Sequence, residues 1–151
     1  MKILCTICVR AGSTSVKNKN IKLINNKPLV YYTITQAKKS GVFEDIVVST
    51  DSKKIKLISQ KFNAEAPFLR PKKLSNDKAT SVNALQHAVN WMEKKEHVKY
   101  DYVIEVMCTN PLKTVEDIDG AIHKLDSTNA DSVVSVVRIW DNHPSRVKFI
   151  E

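Results

Sequence analysis

ILCTICV at residues 3–9 and RAGSTSVKNKN at residues 10–20 decide the reading of this chain. The first is an unbroken apolar run of strand length, the pattern of a strand buried on both faces in a parallel sheet. The second is a polar loop with one glycine, several small hydroxyl residues and three cations, Arg10, Lys17 and Lys19. Gly12 and Ser13 allow close backbone approach, so main-chain N–H groups can point at an anion. Arg grips two oxygens at once, whereas Lys acts as a point charge. Phosphate is the ligand this combination favours. The same residues also read as a basic, solvated turn after an edge strand. Neither G-x-G-x-x-G nor G-x-x-x-x-G-K-[ST] is present, so a dinucleotide fingerprint and a P-loop are not indicated.

Working outward, the rest of the chain alternates helical and strand patterns. Residues 21–26 read as a connector, and Pro28 suits the first turn of a helix over 28–39 with Val30, Ile34 and Ala37 on one face. Gly41 stands where such a helix ends. A second strand is expected over 45–49. Asp51 or Ser52 then caps a helix whose apolar face is Ile55, Ile58 and Phe62. A short third strand is expected over 65–69, and a polar loop over 70–80. The next helix, 81–95, has Val82, Leu85, Val89 and Met92 as its apolar face. A fourth strand is expected over 102–107. Thr114 and Asp117 have the spacing of a capping box, with Asp in place of Glu, opening a helix that buries Val115, Ile118, Ile122 and Leu125. A fifth strand is expected over 132–137.

This alternation predicts an α/β fold, a doubly wound, mostly parallel sheet with helices on both faces. Ligands in such sheets collect outside the carboxyl ends of the strands. The segments 10–20, 49–51, 70–81 and 109–113 are therefore expected to converge on one crevice.

The bulk properties agree with an ordinary globular domain. The chain has 151 residues, 42% hydrophobic and 26% charged, enough to bury roughly 70% of the surface its unfolded form exposes. No apolar run nears the ~20 residues of a membrane span, and no small-residue cleavage site follows Met1-Lys2, which argues against a signal peptide and for no membrane partner. The net charge of +8 favours anionic ligands, but much of it is dispersed lysine, such as Lys53, Lys54, Lys94 and Lys95. No block of like charge resembles a nucleic-acid-binding arm, so nucleic acid is not the expected partner. The three cysteines are expected to be reduced thiols in a cytoplasmic protein. Cys5 and Cys8 form a C-x-x-C, yet their odd separation on a strand sends them to opposite faces, so they read as buried thiols rather than ligands.

Taken together, these segments resemble the CMP-sugar synthetases, the acylneuraminate cytidylyltransferase family. Arg10, Gly12, Ser13, Lys19 and Asn20 stand in register with that family's first loop, A-R-x-G-S-K-G-I-P-x-K-N. Pro28-Leu29 matches its helix start, and VVSTD at 47–51 the end of its second strand. Arg70-Pro71, with Asp77 followed by Ala79, Thr80 and Ser81, matches its R-P…D-x-A-S-S segment. Thr109, Pro111 and Leu112 match part of L-Q-P-T-S-P-L-R, and SVVS at 132–135 and His143-Pro144 also have counterparts. The resemblance runs through the chain in order. It implies one Rossmann-like nucleotidyltransferase domain over residues 1–151, ending short of the family's C-terminal part.

The resemblance also implies a reaction: transfer of CMP from CTP to a 2-keto sugar acid of the sialic-acid kind, with release of pyrophosphate and a requirement for Mg2+. It implies that Arg10, Gly12, Ser13, Lys19 and Asn20 bind the triphosphate, with Arg10 and Lys19 in the catalytic role. Arg70 and Ser81 would contact the cytidine, Thr109 the sugar acid. Ser81 also reads as a helix N-cap. The family forms homodimers in which a basic residue reaches the partner's site. Arg146 is its counterpart after a one-residue shift, and also reads as an exposed arginine.

The departures are specific. Thr14, Ser15 and Lys17 replace the family's K-G and P, and Met107-Cys108 replace Q-P, so a polar contact to substrate is lost. The acidic pair that holds magnesium in the family lies beyond the matched region, which leaves the metal ligands unknown. A catalytically inactive nucleotide-binding module, or a fragment of the enzyme, is the alternative reading.

Overall fold

The structure, a computed structural model, describes residues 1–13 and 16–136. It divides into a unit over residues 1–119 and a second beginning at Gly120. In the first unit, β1 (Ile3–Cys8) is the centre. All but its last residue are buried, as its unbroken apolar run requires. β2 (Leu23–Ile24) and β3 (Lys27–Pro28) then form a small antiparallel hairpin where a plain connector was expected. Its turn residues Asn25 and Asn26 both have positive φ, 47° and 61°, the pattern of a type I′ turn, which asparagine tolerates.

α1 (Leu29–Ser40) follows and ends at Gly41, which takes φ 70° at the C-cap. β4 (Asp45–Ser49) pairs in parallel with β1, and α2 (Lys53–Lys61) is capped by Ser52, whose Oγ accepts the Ile55 N–H. α3 (Ser81–Glu96) leads to β5 (Tyr102–Glu105), which pairs in parallel with the other edge of β1. The strand order is β4-β1-β5. The chain thus leaves β1 for a strand on one side and later returns to the other. The carboxyl end of β1 is the point where the order reverses, the place where doubly wound sheets bind ligands.

Helices cover the sheet by virtue of the strand's period of two. On one face, Leu4 and Val47 join Phe68, Ala88 and Met92 in a core edged by Val89, Trp91, Tyr100 and Val103. The alternate residues Ile3, Cys5 and Ile7 are equally buried, on the face that α1 covers with Val30, Ile34 and Ala37. α3 rests on the sheet through Ala84, Ala88 and Met92, while Val82 is 65% exposed. The expected apolar face is therefore rotated. Alanines let the helix backbone lie close to the strands, and the larger Leu85 and Val89 flank that contact half-buried.

Two expected strands are not formed. Residues 65–69 make a single bridge, Val47 to Glu65, although Ala66 and Phe68 are buried. Pro67 has no N–H to donate and interrupts the ladder at that point. Residues 132–136 belong to no ladder among the described residues. Val134 and Val136 are 78% and 85% exposed, so the covered faces that a valine-rich strand requires are missing. Val137 lies outside the described residues. β5 also stops two residues early, although Val106 still donates its N–H to the Thr6 carbonyl.

α4 (Val115–Thr128) opens with the expected capping box. Thr114 N–H donates to Asp117 Oδ2 at 2.8 Å, and Asp117 N–H donates to Thr114 Oγ1 at 3.2 Å. Ile118, Ile122 and Leu125 are buried along it. No helix among the described residues is long and apolar enough to cross a membrane.

Candidate active site

The loop that leaves β1 is fastened at both ends. Val9 N–H continues the ladder to the Ser49 carbonyl at 3.0 Å. Ala11 N–H then donates to Asp51 Oδ1 at 2.9 Å. At the far end, the Asn20 side-chain amide, itself buried, donates to the Arg10 carbonyl at 3.1 Å. Asn18 takes a left-handed conformation, φ 56°, and starts a short 3-10 turn over Lys19–Ile21. Asp51 is thus neither a helix cap nor solvent-facing decoration. It sets where the loop begins.

This loop forms one wall of a cleft of about 400 Å³, to which it contributes Arg10, Ser13, Lys19 and Asn20. Gly12 is not part of the lining, and a Cβ added there would meet nothing within 4 Å, so this structure gives the glycine no steric role. The opposite wall comes from Arg70, the turn through Ser75 and Asp77, and the start of α3 at Thr80 and Ser81. Glu105, Met107 and Thr109, at and beyond the end of β5, complete it. Every expected site residue among those described, except Gly12, lies on this cleft. Arg146 lies outside the described residues.

Arg70 is the most deeply set cation of the cleft, only 5% exposed. Its backbone N–H donates to the Thr50 carbonyl at 2.7 Å and its Nε to Ser75 Oγ at 3.0 Å. None of the ion pairs among the described residues includes it. Its charge is felt around it. Burial and then Arg70 push the His87 imidazole below its usual range. Burial pushes the Glu105 carboxyl up while Arg70 opposes that rise. Arg10 is held differently, its Nη1 2.7 Å from Asp77 Oδ1 in a solvent-accessible ion pair.

Ser81 does not cap α3. The Thr80 Oγ1 accepts the Asn83 N–H at 3.3 Å, so the hydroxyl of Ser81 stands free at the first helical position. The positive end of a helix of 16 residues therefore adjoins the cleft. With Arg10, Lys19 and Arg70 set against Asp77 and Glu105, the lining suits an anion carrying some neutral hydrogen-bond donors.

The cysteines offer no nucleophile. Burial raises Cys5, and raises Cys8 and Cys108 to about 11, so all three stay protonated at neutral pH. All three are free thiols. Cys5 and Cys8, an odd number of residues apart along β1, alternate across the sheet. No group of three or more His, Cys, Asp or Glu side chains stands ready for a metal among the described residues. Of the two carboxylates on the cleft, Asp77 already pairs with Arg10. Among the described residues, Glu105 is thus the carboxylate of the cleft without an ion pair.

Asp77 and Glu105 were not singled out as site residues from the sequence. For Glu105 a signal was present: it is the one carboxylate within YVIEVM at 102–107, next to the strand end where ligands gather. For Asp77, in a loop with no periodicity, only the folded geometry reveals the partner.

Comparison with known proteins agrees with this geometry. The family model described as Cytidylyltransferase matches residues 4–148. Post-translational flagellin modification protein B of Campylobacter coli is 37% identical over 90% of this chain and 58% of its own length. Pseudaminic acid cytidylyltransferase of Campylobacter jejuni is 41% identical over 82% of this chain and 53% of its own length. The chain thus spans little more than half the length of these curated relatives. Among solved structures, a CMP:2-keto-3-deoxy-manno-octonic acid synthetase complexed with CTP superposes with a TM-score of 0.70 at 21% identity, over 86% of this chain and 49% of that one, which shows the shared fold. A strand-to-loop cradle at the sheet's switch point, an anion-suited cleft and a family match over nearly the whole chain lead to one statement: this chain belongs to the cytidylyltransferase family.

Proposed function

We propose that this chain is the CTP-binding part of an enzyme that transfers CMP from CTP to a 2-keto sugar acid of the sialic-acid kind. The observation that carries the reading is convergence. Arg10, Ser13, Lys19 and Asn20 from one loop, Arg70 and Ser81 from another segment, and Thr109 after β5 all border one cleft. In the proposed reaction, the anomeric hydroxyl of the sugar acid attacks the α-phosphorus. A new O–P bond forms, the bond to the β-phosphate oxygen breaks, pyrophosphate leaves and the hydroxyl proton is lost. Charge builds on the phosphoryl and leaving oxygens, so positioned cations carry most of the rate enhancement.

In this reading Arg10 and Lys19 neutralise the triphosphate, with Ser13 beside them. Asn20 acts chiefly by holding the Arg10 carbonyl. Arg70 and Ser81 take the cytidine, and Thr109 faces the sugar acid. Magnesium would accompany the triphosphate, and the reading gives it no ligand among the described residues. The homodimer and the cytoplasmic setting belong to the same proposal, with Arg146 as the residue offered to a partner.

Calorimetric titration with CTP, ATP and GTP in the presence of magnesium tests the binding part. CTP is expected to bind at least tenfold more tightly than the purine nucleotides, and Arg10→Ala is expected to abolish most of that affinity. Pyrophosphate release by the full-length protein with a panel of nonulosonic acids tests the reaction. No detectable CTP binding would overturn the reading. Binding without turnover on every acid would leave a nucleotide-binding module.

A further inference from the structure

Two carboxylates border the cleft, whose other lining mixes cations, hydroxyls and amides with the thiols Cys8 and Cys108 and the apolar Leu74 and Met107. Asp77 is occupied by Arg10. Glu105 is not occupied. It is half-buried, and among the described residues neither an ion-pair partner nor a hydrogen-bond donor reaches it; the Arg70 charge acts on it only through space. Its backbone is fixed by the ladder, since β5 pairs with β1 in the register Thr6 to Glu105. A half-buried carboxylate on a cleft wall that no protein donor reaches keeps its acceptor capacity for water or for a ligand group entering the cleft.

The chemistry of the cleft narrows what that ligand group can be. A carboxylate repels phosphate, so the triphosphate belongs with the loop cations, away from Glu105. Within the nucleotide itself, the group that a carboxylate can accept from is a neutral N–H or O–H. Glu105 shares its surroundings with Arg70, since both line the same cleft. A guanidinium donor beside a carboxylate acceptor matches the pyrimidine edge that carries ring acceptors next to an amino group at the 4-position. Uracil has a carbonyl oxygen at that position, which a carboxylate rejects. Adenine also carries an amine beside a ring acceptor, so this pairing would separate the two pyrimidines and leave purines to be excluded by size.

We propose that Glu105 is a specificity-determining residue whose carboxylate accepts a hydrogen bond from the exocyclic amine of the bound cytosine. The inference rests on the reading of the cleft as a CTP site and adds to it the group that tells CTP from UTP. One well-placed acceptor of this kind discriminates by about tenfold or more.

The test is the ratio of CTP to UTP affinity in the full-length protein, measured by calorimetry for the wild type, Glu105→Gln and Glu105→Met. Removing a negative charge strengthens binding of any triphosphate, and the ratio cancels that general effect. The wild type is expected to prefer CTP, and both variants to lose most of that preference, Gln because its amide meets either base. A CTP analogue lacking the 4-amino group, titrated into the wild type, needs no variant to fold and should bind about tenfold or more weakly. An unchanged ratio in a folded variant, or full affinity for the analogue, would overturn the role of Glu105 while leaving the CTP site intact. No binding of CTP to the wild type would overturn the site itself.

Discussion

Arg10 and Asp77 form an ion pair, Nη1 to Oδ1 at 2.7 Å, between two loops that face each other across the cleft. Asp77 thus stands where an anionic ligand of Arg10 would compete. Exposed pairs of this kind are worth about 0–1 kcal/mol, so the competition is mild. Asp77→Asn is expected to raise CTP affinity by up to about fivefold, in calorimetry at low salt, with the gain shrinking as salt screens the pair. A fall in affinity would show that Asp77 contributes to the ligand rather than opposing it.

Thr80 and Ser81 separate stability from binding at the start of α3. Thr80 supplies the cap, whereas Ser81 Oγ is free of that duty. Thr80→Ala is expected to lower unfolding stability by about 1 kcal/mol in urea titration, and Ser81→Ala to leave it within about 0.5 kcal/mol. The order reverses for CTP, where Ser81→Ala should weaken binding several-fold. Equal loss of stability in both variants would refute the assignment of the cap.

Cys8 and Cys108 make the fold sensitive to alkali. Burial raises each thiol from 9.0 to about 11, so the folded state keeps its protons after the unfolded state has lost them. Stability is then independent of these thiols below pH 9 and falls as pH rises from 9 towards 11, by an order of 2 kcal/mol per thiol. Urea midpoints at pH 8 and pH 10.5 should converge more closely in the double variant Cys8→Ala, Cys108→Ala than in the wild type. Comparing the two slopes removes the tyrosines and lysines that titrate in both. Identical slopes would mean that the thiols are ionised alike in both states.

The parts of this fold legible in the sequence are those governed by local chemistry or strong periodicity. The β1 run, the 45–49 strand, Gly41 and the Thr114–Asp117 box all declare themselves through residue type alone. The candidate cleft was legible because the cations after the first strand stand where parallel sheets gather ligands. The misses have causes of other kinds. The hairpin around Asn25-Asn26 was signalled by its turn residues but hidden by strands of two residues each. The segment at 65–69 has strand composition, yet Pro67 limits its pairing to one bridge. The face of α3 was misjudged because the sheet selected alanines over the larger Val82, a decision made by packing distance rather than by hydrophobicity. Asp77 stood out in the R-P…D-x-A-S-S match, but its pairing could not be read there, since its partner Arg10 comes from the loop after β1.

The two fasteners of the first loop, Asp51 on Ala11 and Asn20 on Arg10, lie at the borders of the stretch they enclose. That arrangement makes the enclosed stretch a cassette. A change of charge within it, as at Lys17, leaves both framing contacts in place, because they come from Asp51 just after β4 and from Asn20 in the short 3-10 turn.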